Sequence, residues 1–176
     1  MLVAHVTAED ARVGAPTTRM RFRSGQRPIS RARAVVGADA VLLIAAALDD
    51  AALVKLRATA EDKLGLDALV EVHTSQELRR AVSTGARLIG VNNRDLLTFR
   101  TSLETSERLI AEAPRDRITI SESGLQSPKS LRHLRSLGFR GFLIGEALMR
   151  ATDPETALRD LIAAVEDRQA VITKSE

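Results

Sequence analysis

The sequence predicts an α/β fold of the (β/α)8 TIM-barrel type, with parallel strands, incomplete at about five βα units. Short apolar runs alternate with helical patterns from residue 38 onward, which is typical of a parallel sheet with right-handed crossovers. The runs are rich in Val, Ile and Leu, as in strands covered on both faces. An open doubly wound sheet is the alternative, and the absence of a glycine-rich dinucleotide fingerprint after the first strand weakens it.

Each predicted strand is a short apolar run that ends in polar residues. The strands are expected at 38–45, 68–73, the first half of 88–99, 117–121 and 141–145. Sites in barrel enzymes lie at the carboxyl ends of the strands, so the polar residues at these ends are the main site candidates. They are Glu71, Asn92, Glu122, Ser123, Gly124, Gly145 and Glu146.

The helices are predicted from apolar spacing and from capping residues. They are expected at 29–36, 49–64, 74–84, 102–112, 127–137, 146–150 and 154–166. Thr74 is expected to be an N-cap with Glu77 as its capping-box partner. Ser127 is expected to cap a helix that has Pro128 at its first position. Three glycines are expected to end helices, namely Gly37, Gly85 and Gly138.

The composition excludes several classes of function. The chain of 176 residues has no cysteine, so disulfides and thiolate metal sites are excluded and a cytoplasmic location is expected. Its three histidines lie far apart in sequence, and no metal site is expected. No apolar run approaches the roughly 20 residues of a membrane helix, so no membrane partner is expected.

The net charge of +3 is unevenly distributed and suggests how the chain is divided. Residues 1–34 carry a net charge of +5, entirely from arginines, whereas the remainder carries −2. An Arg-rich arm could bind RNA or an acidic surface, but a poorly ordered, solvated terminus is favoured and no nucleic-acid partner is expected. The expected parts are an Arg-rich, poorly ordered segment at 1–28, a partial barrel at 29–168 and a polar tail at 169–176.

The stretch Leu88–Phe99 combines a buried strand with a polar cluster. Asn92, Asn93, Arg94 and Asp95 follow its apolar half directly. These side chains could meet a ligand at the rim of the core. They could equally form a turn, because Asn and Asp are common turn formers and Arg94 can pair with Asp95. Both interpretations stay open from the local pattern.

Five motifs in register resemble the indole-3-glycerol phosphate synthase family. They cover about residues 29–165 and have the family's order and spacing: Gly37-Ala-Asp-Ala-Val-Leu-Leu-Ile44, Leu69-Val-Glu-Val-His73, Ile89-Gly-Val-Asn-Asn-Arg-Asp-Leu96, Ile120-Ser-Glu-Ser-Gly124 and Gly141-Phe-Leu-Ile-Gly-Glu-Ala-Leu-Met149. The family is a (β/α)8 barrel of tryptophan biosynthesis. The resemblance implies a carboxy-lyase that converts 1-(2-carboxyphenylamino)-1-deoxyribulose 5-phosphate to indole-3-glycerol phosphate, with loss of CO2 and water and without a cofactor.

The resemblance also implies roles for the residues at the strand ends. Glu71 is the carboxylate of the fifth barrel strand and a general base in ring closure and dehydration. Asn92 is the sixth-strand amide at the reacting centre, and Arg94 holds the carboxylate of the substrate. Glu122 and Ser123 match the seventh-strand residues, which bind substrate and act in catalysis respectively.

The same resemblance implies a phosphate site after the last two strands. Backbone N–H groups at Gly124, Gly145 and Glu146 would cradle the phosphate, with the helix 146–150 behind it. The side chain of Glu146 would then have to turn away from the phosphate. The implied partner is a small phosphorylated substrate.

The motifs begin at the family's fourth strand, so the lysines of the first and third strands have no counterpart here. Met20–Pro28 stands in the place of the third strand but is Arg-rich and lacks the lysine that serves as general acid. The isolated chain is therefore expected to be a poor catalyst. Exposed barrel edges are expected to promote self-association. A non-catalytic partial barrel that retains a phosphate-binding half is the alternative function.

Overall fold

The computed structural model describes residues 2–4 and 39–166. The predicted helix at 29–36 with its end at Gly37, most of the segment 1–28 and the tail 169–176 lie outside the described residues.

The described strands form one parallel sheet in the order β1-β6-β5-β4-β3-β2. Their bounds are β1 Leu2–Ala4, β2 Ala40–Ile44, β3 Asp67–Val72, β4 Leu88–Asn92, β5 Ile118–Glu122 and β6 Gly141–Ile144. Among these strands β1 and β2 form the two edges and do not pair with each other. The sheet is therefore open, which fits an incomplete barrel and confirms the predicted fold class.

Five of these strands were predicted, and β1 was not. The residues Leu2–Ala4 pair in parallel with Phe142–Ile144 of β6. The sequence predicted little stable structure in this region, and that expectation is wrong for these three residues. A run of three apolar residues is too short to produce a recognisable period, so pairing with a distant strand decides its conformation.

The helices lie close to their predicted positions. They are α1 Asp50–Ala58, α2 Ser75–Ser83, α3 Glu104–Glu112, α4 Pro128–Leu137, α5 Glu146–Arg150 and α6 Pro154–Glu166. The helix predicted at 49–64 is divided: a π-helical turn, Thr59–Lys63, follows α1. After this turn the Leu66 N–H donates to the Ala60 carbonyl at 2.9 Å.

Side-chain caps fix where three helices begin. The Asp49 carboxylate accepts from the Ala52 N–H at 2.7 Å, and Ser127 Oγ accepts from the Ser130 N–H at 3.2 Å. Thr74 Oγ1 accepts from the Glu77 N–H at 3.2 Å. These contacts confirm the predicted caps at Thr74 and Ser127 and satisfy N–H groups that have no partner within the helix.

The predicted capping box at α2 closes in a different way. The Glu77 carboxylate accepts from the backbone N–H of His73 at 2.8 Å. A standard capping box would instead bond the N–H of Thr74, the cap itself. The carboxylate of Glu77 therefore ties the end of β3 to the start of α2 and lies beside the His73 ring.

The two faces of the sheet differ in burial. Residues that face the helices are buried throughout, including Val70, Val91 and Phe142. The opposite face corresponds to a barrel interior, and it is partly open: Ile118 is 40% exposed, and four leucines and an isoleucine are half-buried, namely Leu42, Ile44, Leu69, Leu88 and Leu143. Self-association through this surface stays a prediction.

Candidate active site

Three polar side chains converge at the carboxyl ends of β3, β4 and β5. Glu71 is paired in register with Gly90, and Asn92 with Glu122. Because side chains alternate along a strand, Glu71, Asn92 and Glu122 all lie on the sheet face opposite the helices. They are 2%, 8% and 7% exposed respectively. Two carboxylates and an amide thus occupy neighbouring positions at one rim of the core.

Gly90 makes room for one of these carboxylates. A Cβ atom at Gly90 would lie 1.8 Å from Glu122 Oε1 and 3.3 Å from Leu69 Cδ1. The Glu122 side chain therefore crosses over β4 at the position that is in register with Glu71. The sequence contained a signal for this role, since a glycine inside an apolar strand often marks a close approach.

His73 lies between two carboxylates and was not among the predicted site residues. Its Nε2 atom is 3.4 Å from Glu71 Oε1, and its Nδ1 atom is 3.3 Å from Glu77 Oε2. Glu71 lies on β3, and His73 follows two residues later, directly after the strand ends at Val72. That spacing was a signal in the sequence, but only the fold brings Glu77 to the other side of the ring.

Asn93 holds the ends of β4 and β5 together. Its amide nitrogen lies 3.0 Å from Ser121 Oγ and from the Glu122 carbonyl, and 3.1 Å from the Ser123 carbonyl. Its amide oxygen accepts from the Ser106 N–H in the first turn of α3 at 3.1 Å. Asn93 is 2% exposed, so these bonds are made inside the protein. Its role is to support the site residues rather than to bind ligand.

Asn92 and Arg94 open the loop after β4. The Asn92 Oδ1 atom accepts from the Arg94 N–H at 2.9 Å. The guanidinium of Arg94 donates to the Phe99 carbonyl at 3.4 Å and lies 3.1 Å from the Glu146 carboxylate. Arg94 thus lies at the same rim as Asn92, and its guanidinium reaches across to the helix after β6.

Asp95 forms the turn within this loop. Its Oδ1 atom accepts from the N–H groups of Leu97 and Thr98 at 2.9 and 2.7 Å and from Thr98 Oγ1 at 3.0 Å. The bond from the Thr98 N–H, then those from the Thr98 hydroxyl and the Leu97 N–H, lower the pKa of Asp95 below its ordinary value of 3.8. Asp95 is therefore a turn residue, as one of the two sequence interpretations held.

The lowered pKa of Asp95 predicts how the loop responds to acid. The bonds are stronger to the charged carboxylate, so this added stability is complete above the ordinary value of 3.8 and is lost as the pH falls through the lower folded-state pKa. In an NMR titration, the amide signals of Leu97 and Thr98 should shift with a midpoint below 3.8. In Asp95→Asn this transition should be absent, and a wild-type midpoint at or above 3.8 would contradict the prediction.

The loop after β5 begins with two residues that have positive φ angles. Ser123 and Gly124 both have a left-handed backbone, with φ of 63° and 71°. A Cβ at Gly124 would lie 3.2 Å from the Thr101 Cβ, so glycine fits this position both sterically and conformationally. Gly145 precedes α5 directly. The Glu146 side chain is turned toward Arg94 and Arg150, at 3.1 Å from each guanidinium.

The described residues were compared with the requirements of a metal site and of a membrane-spanning helix. No group of three or more His, Cys, Asp or Glu side chains is arranged there to hold a metal ion. Within 39–166 no helix is long and apolar enough to span a bilayer.

The fold and the site together define an α/β protein of the TIM-barrel type, with carboxylate, amide and guanidinium groups at the carboxyl ends of its strands. Solved barrel structures are similar in fold. Thiamine phosphate pyrophosphorylase from Pyrococcus furiosus has a TM-score of 0.60 at 20% identity, over 77% of this chain and 63% of that one. For 3-hexulose-6-phosphate synthase from Salmonella typhimurium the TM-score is 0.63 at 18% identity, over 74% and 63%.

The sequence comparisons identify the family. The indole-3-glycerol phosphate synthase family profile matches residues 6–161, and this chain belongs to that family. The indole-3-glycerol phosphate synthase of Acidithiobacillus ferrooxidans is 48% identical over 146 residues, which are 83% of this chain and 55% of that protein. The corresponding protein of Opitutus terrae is 44% identical over 163 residues, or 92% of this chain and 60% of that protein.

The family match extends the resemblance toward the N-terminus. The five motifs indicated about residues 29–165, whereas the family match begins at residue 6. The similarity therefore includes much of the Arg-rich segment. The chain nevertheless spans only 55–60% of the length of these relatives.

Proposed function

We propose that this chain carries an indole-3-glycerol phosphate synthase site, a carboxy-lyase site that closes the indole ring of 1-(2-carboxyphenylamino)-1-deoxyribulose 5-phosphate with loss of CO2 and water. The observation that carries the proposal is the convergence of Glu71, Asn92 and Glu122 at one end of three adjacent strands. This arrangement supports acid–base chemistry on a substrate held at the mouth of the barrel.

The proposed roles follow the positions of the side chains. Glu71 is the general base, because it is buried and has His73 beside it at 3.4 Å. Asn92 hydrogen-bonds the reacting centre, and Glu122 approaches from the neighbouring strand across Gly90. Ser123, which has a left-handed backbone and directly follows β5, is the further catalytic residue of the proposal.

The substrate's two anionic ends have separate proposed partners. Arg94 would take the carboxylate, for which a guanidinium offers two parallel donors. The backbone N–H groups of Gly124, Gly145 and Glu146 would take the phosphate, in the loops that follow the last two strands. The Glu146 side chain connects these loops to Arg94 through an ion pair.

The described residues lack one part of this chemistry. The lysines Lys55, Lys63 and Lys129 lie on α1, the π-helical turn and α4, so no described lysine is on the sheet face that holds Glu71. We therefore expect no described lysine to assist protonation of the substrate's carbonyl oxygen during ring closure. We expect turnover about 10²–10⁴-fold slower than that of a full-length relative.

The experiment is a fluorescence assay for indole-3-glycerol phosphate with the 176-residue chain in excess over substrate. The full-length protein of Acidithiobacillus ferrooxidans is the positive control. Slow product formation above the buffer blank supports the proposal. No product at all, together with no binding of the substrate, would contradict it.

A second candidate is a non-catalytic partial barrel that keeps only the phosphate-binding half. The open sheet and the positive-φ turn at Ser123 and Gly124 favour it. Calorimetric titration with inorganic phosphate separates the two candidates. Phosphate binding without any product supports the second, whereas product formation supports the first.

A further inference from the structure

An ion pair between Arg94 and Glu146 joins two separate parts of the candidate site. Arg94 lies in the loop after β4, and Glu146 is the first residue of α5, 52 residues later. The Arg94 Nη2 atom is 3.1 Å from Glu146 Oε2, and the Arg150 Nη2 atom is 3.1 Å from Glu146 Oε1. The Glu146 carboxylate thus lies between two guanidinium groups.

The remaining contacts of Arg94 show which of its nitrogen atoms already have partners within the protein. Its Nη1 atom donates to the Phe99 carbonyl at 3.4 Å, and its backbone N–H is held by Asn92 at 2.9 Å. The Nη2 atom faces Glu146. The side chains of Arg94 and Glu146 are 37% and 48% exposed, so a ligand can reach the pair from solvent.

We propose that Glu146 is an internal counter-ion of Arg94, which a carboxylate ligand displaces when it binds. This inference rests on the proposed function, because it takes Arg94 as the group that binds the substrate's carboxylate. Glu146 offers Arg94 one carboxylate oxygen, at Nη2, and a ligand carboxylate can take that place, so the exchange replaces one carboxylate–guanidinium pair by another. A ligand without a carboxylate leaves the Arg94–Glu146 pair intact, so the competition from Glu146 weakens the binding of carboxylate ligands only.

The expected effect is small and has a defined sign. An exposed ion pair contributes little, so a ligand can break it, and removing the competing charge should tighten carboxylate binding by about two- to fivefold. If Glu146 instead served only to hold Arg94 in position, its removal would weaken binding. The two roles are therefore distinguished by the direction of the change.

The test is an NMR titration of the chain with 2-aminobenzoate, which has the carboxyphenylamine group of the substrate. Aniline, which lacks the carboxylate, is the matched ligand control. The variants are Glu146→Gln, Arg94→Gln and Glu155→Gln. Glu155 makes a comparable exposed pair with Arg159 at 2.8 Å within α6, so it controls for the loss of a surface carboxylate.

We expect Glu146→Gln to bind 2-aminobenzoate about two- to fivefold more tightly than wild type, with Glu155→Gln unchanged and Arg94→Gln without binding. Equal or weaker binding by Glu146→Gln, with binding still lost in Arg94→Gln, would overturn the counter-ion role and leave the proposed function intact. Binding unchanged in Arg94→Gln, or no saturable binding by wild type and Glu146→Gln, would overturn both, because Arg94 would not be a carboxylate-binding group.

Discussion

Replacing Asn93 by alanine is expected to lower the free energy of unfolding by about 2–4 kcal/mol. The substitution removes the only described acceptor of the buried Ser106 N–H and the amide donor to the Glu122 and Ser123 carbonyls. A buried polar group that loses its partner costs about 1–3 kcal/mol. The backbone hydrogen bond from the Asn93 N–H to the Glu122 carbonyl, at 2.9 Å, does not depend on the side chain, so the fold itself should survive.

Urea unfolding followed by circular dichroism measures this loss. Gln76→Ala is the control, because Gln76 is an exposed amide on α2 and its removal should change stability by less than about 0.5 kcal/mol. A loss below about 1 kcal/mol for Asn93→Ala would show that its bonds are replaced by water. The same variant should bind ligands less well, since the Glu122–Ser123 turn loses its side-chain support.

The strands and helices were predictable because each depends on a local pattern. The short helix Glu146–Arg150 begins and ends where the sequence predicts it, and the last helix begins at the predicted Pro154. The strand Leu2–Ala4 was not predictable, because only pairing with β6 defines it. The π-helical turn at Thr59–Lys63 was likewise missed, since the apolar spacing there fits a continuous α-helix.

The sequence predicted that the site residues lie at strand ends, but it did not predict which atoms their side chains contact. The placement of Glu71, Asn92 and Glu122 at strand ends followed from the parallel-sheet pattern. Asn93 and Asp95 are polar residues separated by one position, and only the structure shows that Asn93 supports the core and Asp95 the loop. The pairing of Arg94 with Glu146 depends on the fold, which brings together residues far apart in the chain.

Replacing Glu71 by glutamine is expected to lower the rate of indole-3-glycerol phosphate formation by about 10²–10⁴-fold, if Glu71 is the general base of the proposed function. Glutamine has nearly the same shape but cannot take up a proton. Glu71 is 2% exposed and its Oε1 atom lies 3.4 Å from His73 Nε2, so burial restricts the side chain before substrate arrives. The effect should therefore fall on kcat, with a smaller change in KM.

Asp67→Asn is the matched control for this experiment. Asp67 is the first residue of the same strand β3, is exposed, and lies at the opposite end from Glu71. The same change from carboxylate to amide there should leave the rate within about a factor of two, since a surface substitution away from the site changes little. Single-turnover assays with the chain in excess measure both variants. If Glu71→Gln kept more than about a third of the wild-type rate, Glu71 would be a buried ion-pair partner of His73 and the general base would have to be sought at Glu122.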